Sequence, residues 1–205
     1  MGIISSFPPA TCEPRLRAFL ARVCASPELH WRFLNTLSLL EHIGARKIMA
    51  TQTEGGELCG DTLRHIAEEA RHAWFFKRQA EAAAGQALSY DGASIMAGPQ
   101  ARTYMARLDG TIARSIHGAR AYLYMSLVIE LRAVWFYRIY QDVLTASGKT
   151  IKLGGLLAEE DRHLEEMQGQ LGALDEDLAV RLADFTAYEE IRFQTLLSAL
   201  ERSYP

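Results

Sequence analysis

Two short motifs in this chain join a carboxylate to an imidazole at a helical spacing: Glu69-Ala-Arg-His72 and Glu160-Asp-Arg-His163. Of the six histidines, only His72 and His163 have a glutamate three residues earlier. On a helix, residues three apart share a face, so each pair can reach one ion. Carboxylate oxygens combined with two imidazoles suit iron or manganese better than a soft, thiolate-preferring ion. One such match arises often by chance, whereas two on separate helices are less common. Each motif also follows another glutamate at a similar distance. Glu41 precedes Glu69 by 28 residues, and Glu130 precedes Glu160 by 30. That is the separation a helical hairpin needs to bring its two glutamates level.

The elements that must position these residues are long helices. Ser26-Pro27-Glu28 reads as N-cap, first-turn proline and first-turn acid, and opens a helix reaching about Thr51. Gln52 to Gly60 reads as a turn, and Asp61 as the cap of a second long helix ending near Gly85. Pro99 to about His117 is expected to form one or two shorter helices. Gly118 opens a third long helix, and Ser147-Gly148-Lys149 is a tight turn before a fourth, placed at about Thr150 to Gly169. A short helix from Pro14 to Ala25 precedes them, and a last helix starts at Asp175 or Asp177. The first and third links are short, which predicts two antiparallel hairpins, while the middle link spans about thirty residues. Two hairpins joined by a long crossover define a four-helix bundle with extra terminal helices, all-α and a single domain over 1–205, its core at about 27–169.

Aligned on offsets of three, four and seven, each long helix carries one glutamate on its apolar stripe. Leu34, Ser38, Ala45 and Ile48 flank Glu41; Ile66, Ala73 and Phe76 flank Glu69. Leu123, Leu127, Val134 and Tyr137 flank Glu130; Leu153, Leu157, Leu164 and Met167 flank Glu160. Four carboxylates in one core are untenable without cations, and two divalent ions would balance their charge. Glu159 and Glu68 also stand four residues before a histidine, but the stripes select Glu160 and Glu69. Glu159, Asp161, Glu165 and Glu166 then fall on the solvated face. His65 is four residues before Glu69 and could orient a ligand, or be a surface histidine. Tyr137 could line a pocket or relay electrons, with core packing as the more ordinary role. Arg71, Arg132, Arg162 and Asp161 could form ion pairs near the site, with solvated surface pairs as the more ordinary outcome. Glu189 and Glu190 of the last helix touch another subunit or nothing.

Composition excludes several classes. The net charge of -3 argues against a general nucleic-acid-binding surface. Between Pro99 and Arg120, four arginines, Arg102, Arg107, Arg114 and Arg120, outnumber the one acid, Asp109, and suggest either a docking patch for an anion or a solvated face. Three cysteines, Cys12, Cys24 and Cys59, form no CxxC, which speaks against a disulfide framework or zinc ribbon and for a reducing, cytoplasmic compartment. No apolar run is long enough to span a membrane. The opening MGIISS fits only the loose N-myristoylation pattern.

The pattern Glu41…Glu69-x-x-His72…Glu130…Glu160-x-x-His163 resembles the ferritin-like di-iron carboxylate superfamily over about Pro27 to Gly169. The resemblance implies two iron ions, with manganese or a mixed pair as the alternative. One would take Glu41, Glu69 and His72, the other Glu130, Glu160 and His163, with two glutamates bridging. It also implies O2 activation against a small organic substrate and an electron donor; a homodimer is an expected form of assembly. Alternatives within it are a ferroxidase, iron-storage or peroxide-detoxifying protein; a structural bundle without catalysis is the other reading. The cysteine-rich ribbon of rubrerythrins is absent, and the doubled ExxH differs from the less symmetric site of ordinary ferritin.

Overall fold

The computed structural model describes residues 12–53, 60–117 and 119–203. MGIISS, Cys59, Gly118 and most of the turn expected at Gln52 to Gly60 lie outside the described residues. The elements are α1 (Glu13–Ala25), α2 (Pro27–Thr53), α3 (Gly60–Ala84), a 3-10 turn (Gly92–Ser94), α4 (Gly98–Ser115), α5 (Ala119–Ala146), α6 (Gly154–Leu174) and α7 (Leu178–Glu201). Among the described residues there is no strand, and no helix is long and apolar enough to cross a membrane.

Local chemistry sets these boundaries. Pro14 pre-forms the first turn of α1, whose Leu16, Phe19, Leu20 and Val23 recur at helical spacing and are all buried. Ser26 leaves the helical region, and its hydroxyl accepts from the Leu29 N–H at 3.3 Å, starting α2. Gly148 takes the left-handed conformation at φ 67°, and the Lys149 N–H returns to the Leu144 carbonyl at 2.9 Å, which ends α5. Two boundaries differ from the sequence expectation. The fourth long helix begins at Gly154 rather than near Thr150 and runs on to Leu174. There the Gln141 side chain takes the Leu153 N–H at 2.6 Å while the chain is still non-helical, and buried Leu171 carries the stripe beyond Gly169. The second long helix begins at Gly60, so Asp61 sits in its first turn rather than before it.

Pairings along the helices give their directions. Ser38 donates to the Ala73 carbonyl at 2.6 Å and Lys77 to Asn35 at 2.9 Å, so α2 and α3 run antiparallel. Arg138 meets Asp161 at 2.8 Å while Gln141 meets Leu153, so α5 and α6 do the same. Arg64 pairs with Glu166 at 2.7 Å at one level of α3 and α6, and His72 with Glu159 at 2.8 Å at another. Consequently α3 and α5 are parallel, and the chain must return along the bundle between them. α4 does this: its 18 residues span about 27 Å.

Buried polar residues of α2 pin this crossover. Asn35 donates to the carbonyls of Ser89 and Ser94 at 2.8 and 2.7 Å, and Thr36 accepts from the Met96 N–H at 2.8 Å. They satisfy loop backbone that would otherwise be stranded in the core. α7 is fastened by charge. Arg132 of α5 grips Glu189 through two nitrogens, at 2.9 and 2.6 Å, and also meets Glu190, while the Tyr104 hydroxyl of α4 donates to Glu189 at 2.6 Å. Glu189 is fully buried, so this pair of acids serves the interior rather than a subunit contact. Removing one partner would strand the other charge, at a cost of about 3–5 kcal/mol.

His30 gives a test of the packing. It is 5 % exposed, and its Nε2 lies 2.8 Å from the Tyr140 hydroxyl. Burial, and secondarily the Lys149 charge, push its pKa down to about 4. The unfolded chain takes up this proton near pH 6.5, before the folded chain does, so stability falls as pH drops from about 6.5 to about 4. In urea titrations at pH 7 and pH 4, His30→Gln should shed up to roughly 3 kcal/mol of the wild-type acid destabilisation.

A candidate two-metal centre

The four stripes deliver their glutamates to one place. Glu41, Glu69, Glu130 and Glu160 are 8, 6, 4 and 1 % exposed, and His72 and His163 are 3 and 1 % exposed. Their ligand atoms form two groups, within each of which all atoms lie within 4.8 Å of one another: Glu41, Glu69, His72 and Glu160, and His65, Glu69, Glu130 and His163. Glu69 belongs to both. Glu160 reaches both histidines, with Oε1 3.0 Å from His72 Nδ1 and Oε2 3.2 Å from His163 Nδ1. The two ExxH glutamates therefore stand between the groups, with Glu41 and Glu130 at opposite ends. These groups differ from the division implied by the resemblance: Glu160 clusters on the Glu41 side, Glu69 falls in both, and His65 joins Glu130 and His163.

Both histidines turn Nδ1 inward and Nε2 outward. His72 Nε2 lies 2.8 Å from Glu159, and His163 Nε2 lies 2.7 Å from Glu68. The exchange is reciprocal, because each carboxylate immediately precedes the other motif's glutamate. The arginines follow the same rule: Arg71 meets Glu159 at 2.5 Å and Arg162 meets Glu68 at 2.6 Å. A carboxylate on the outer imidazole nitrogen fixes ring orientation and raises the basicity of the inner one. Glu159 was expected on the solvated face; it is instead a partner of His72, because α3 lies directly across from it. The signal for it is the repeat Glu68-Glu69-Ala-Arg-His72 against Glu159-Glu160-Asp-Arg-His163, whose outer glutamates the stripes left without a role.

His65 joins the cluster rather than the surface. It is 7 % exposed, with Nε2 3.3 Å from Glu130 Oε1 and Nδ1 3.0 Å from the Tyr122 hydroxyl. Tyr137 donates a short hydrogen bond to Glu41 and stacks on Phe76 at 5.5 Å. Gly44 faces Glu69 closely: a Cβ there would stand 3.1 Å from its Oε2, so any larger residue presses on the shared carboxylate.

Electrostatics show what the cluster lacks. Burial, then the charges of Glu69 and Glu160, push Glu41 well above the usual carboxylate range. Burial opposes charging of the histidines, but hydrogen bonds outweigh it. Glu130 and Glu160 hold His163 up to about 11, Glu160 holds His72 up to about 10, and Glu130 and Glu69 hold His65 up to about 9. Left to itself, the chain balances its acids with protons. Glu69 Oε1 and His72 Nδ1 are nonetheless buried without a well-directed hydrogen bond among the described residues, although Glu160 Oε1 lies 3.0 Å from His72 Nδ1. Both are electron-pair donors once the imidazole is neutral, and both face the centre. Cations entering here displace protons and satisfy these atoms, so the residues fit metal ions.

A cavity of about 100 Å³ opens against the centre, touching Glu41, Glu69 and Glu130 and walled by Phe33, Leu37, Leu40, Ile129 and Phe136. A smaller one of about 40 Å³ lies by His65, Tyr122 and Met125. No known protein family, curated protein or solved structure matches this chain. The functional reading therefore rests on residues and geometry.

The reciprocal contacts make a specific demand. Glu68→Gln and Glu159→Gln should each weaken metal binding by about 10- to 100-fold without abolishing it. Titration against a competing chelator, with circular dichroism to check the fold, measures this; unchanged affinity in both variants would show that the outer carboxylates do not orient the imidazoles.

Proposed function

We propose that this chain is a ferritin-like di-metal carboxylate protein that holds two iron ions and uses them to activate O2 against a small organic substrate. The observation that carries this is the pair of buried carboxylate–imidazole groups sharing Glu69. Four carboxylates and three imidazoles supply the hard oxygen and borderline nitrogen donors that iron or manganese takes. Glu41, Glu69, His72 and Glu160 would hold one ion; His65, Glu69, Glu130 and His163 the other. Iron bound there supplies reversible electron transfer and positions at which O2 can react.

The chain's own residues do the rest. Glu68 and Glu159 accept the outer N–H of His163 and His72, keeping Nδ1 available to an ion. The Tyr137 hydroxyl, held to Glu41 and pushed well above its ordinary pKa by burial, keeps its proton at the edge of the cavity. The apolar walls exclude water and leave room for an organic molecule rather than a stream of hydrated ions. That wall chemistry favours an oxidase or oxygenase over an iron store. An external electron donor is required for turnover as an oxygenase.

Anaerobic addition of Fe(II), metal quantitation, and then O2 exposure followed by absorbance test this. About two iron ions per chain and an O2-dependent spectral change are expected. Glu160→Ala, checked for fold by circular dichroism, should lose at least one ion and the spectral change. No uptake and no change in the wild type would defeat the proposal.

A further inference from the structure

The inner cavity backs onto a second space. A surface groove of about 310 Å³ runs between α4 and α7, and two of its residues, Tyr104 and Leu196, also line the inner cavity. These side chains are 6 and 4 % exposed and form the partition between the two spaces. The Tyr104 ring is held in place through its hydroxyl, which donates to buried Glu189 at 2.6 Å.

Each helix also contributes an arginine to the groove lining. Arg107 follows Tyr104 by three positions on α4, and Arg192 precedes Leu196 by four on α7, so each pair shares a helix face. Neither arginine has a carboxylate partner among the described residues, whereas Arg64, Arg71, Arg132, Arg138 and Arg162 all do. Arg192 contacts the Tyr188 ring at 5.1 Å, yet its Nε is buried without a hydrogen-bond acceptor among the described residues. The Nε atoms of Arg32, Arg162 and Arg181 share that state, so for this groove the donor counts only together with the position of Arg192 in its lining.

The inner space has the opposite character. Its polar rim is Glu41, Glu69 and Glu130, and the one guanidinium on its wall, Arg132, is gripped by Glu189 and Glu190. A carboxylate head would meet acids inside and guanidiniums outside, and guanidinium with carboxylate is the best-matched pair in planar hydrogen bonding. We propose that the α4–α7 groove receives the anionic head of a small amphipathic carboxylate, whose apolar tail passes between Tyr104 and Leu196 toward the carboxylate–histidine cluster. The tail is short, since a 150 Å³ cavity holds about one benzene ring and this one is about 100 Å³. This rests on the proposed di-metal reading only in making the bound carboxylate a substrate; the binding itself needs the groove, the partition and the cavity.

The probes are hexanoate, hexan-1-ol and hexylamine, titrated by calorimetry into the full chain, metal-free and anaerobically loaded with Fe(II). Hexanoate should bind at least about tenfold more tightly than either other probe in both forms. Arg192→Gln or Arg107→Gln should remove most of that preference while leaving hexan-1-ol unchanged. Leu196→Trp should weaken hexanoate and hexan-1-ol alike, with the helical circular dichroism intact. Equal binding of the three probes, no hexanoate binding, or hexanoate binding that requires iron and ignores both arginine substitutions would overturn the proposal. Failure to take up iron alongside arginine-dependent hexanoate binding would defeat the di-metal reading and leave this one standing.

Discussion

Four carboxylates share one buried space, and the structure is organised around making that tolerable. A lone buried carboxylate costs several kcal/mol, and four together cannot all ionise unassisted. Three histidines supply partial relief, leaving four acids against at most three imidazolium charges. The remainder appears as Glu41 pushed far up in pKa and as donor atoms of Glu69 and His72 without well-directed hydrogen bonds among the described residues. Packing alone would replace such a cluster with leucine at no loss of stability. Its presence on four separate helices, in matched registers, is the physical case for a ligand with positive charge.

That constraint propagates outward. Two antiparallel hairpins, α2–α3 and α5–α6, set the glutamates level, and α3 against α6 sets each histidine beside the other motif's outer carboxylate. The parallel relation of α3 and α5 then forces a long crossover, and α4 with α7 becomes the lid of an apolar space beside the cluster. Polar residues recur where apolar ones would pack more cheaply. Asn35, Thr36 and Ser38 serve crossover backbone and neighbouring helices, and Arg132 with Glu189 joins α5 to α7. Each of these fixes a register beside the site, which a uniform leucine interior would leave free to slide.

The sequence exposed much of this because its rules are local. One glutamate per stripe, and a histidine three residues on, are readable from helical periodicity, and Glu69, His72, Glu160 and His163 are buried together as their spacing implies. What escaped it depends on which helix lies opposite. Glu159 looks solvated on its own helix and becomes a histidine partner only when α3 crosses it. Glu189 and Glu190 are 57 and 58 residues from Arg132, with no pattern joining them. His65 was ambiguous for the same reason, since its inward turn depends on Tyr122 and Glu130 of α5. The doublet of glutamates ahead of each Arg-His pair was legible, but the stripes alone gave its outer members no role.

The repeated motif gives the cluster an approximate two-fold symmetry, and departures from it are informative. Glu41 corresponds to Glu130, Glu69 to Glu160, and Glu68 to Glu159. His65, four residues before Glu69, corresponds to Leu156, and Tyr137, seven after Glu130, corresponds to Ile48; both of these mates are buried and apolar. One end therefore gains an extra imidazole and the other a phenol bonded to its terminal carboxylate. The cavity breaks the symmetry again, since it touches Glu41, Glu69 and Glu130 but not Glu160. Two ions held by matched motifs would thus meet unequal surroundings, with one open face shared between them. A purely structural pair of ions would gain nothing from that inequality; under the proposed function it leaves a substrate one side from which to approach.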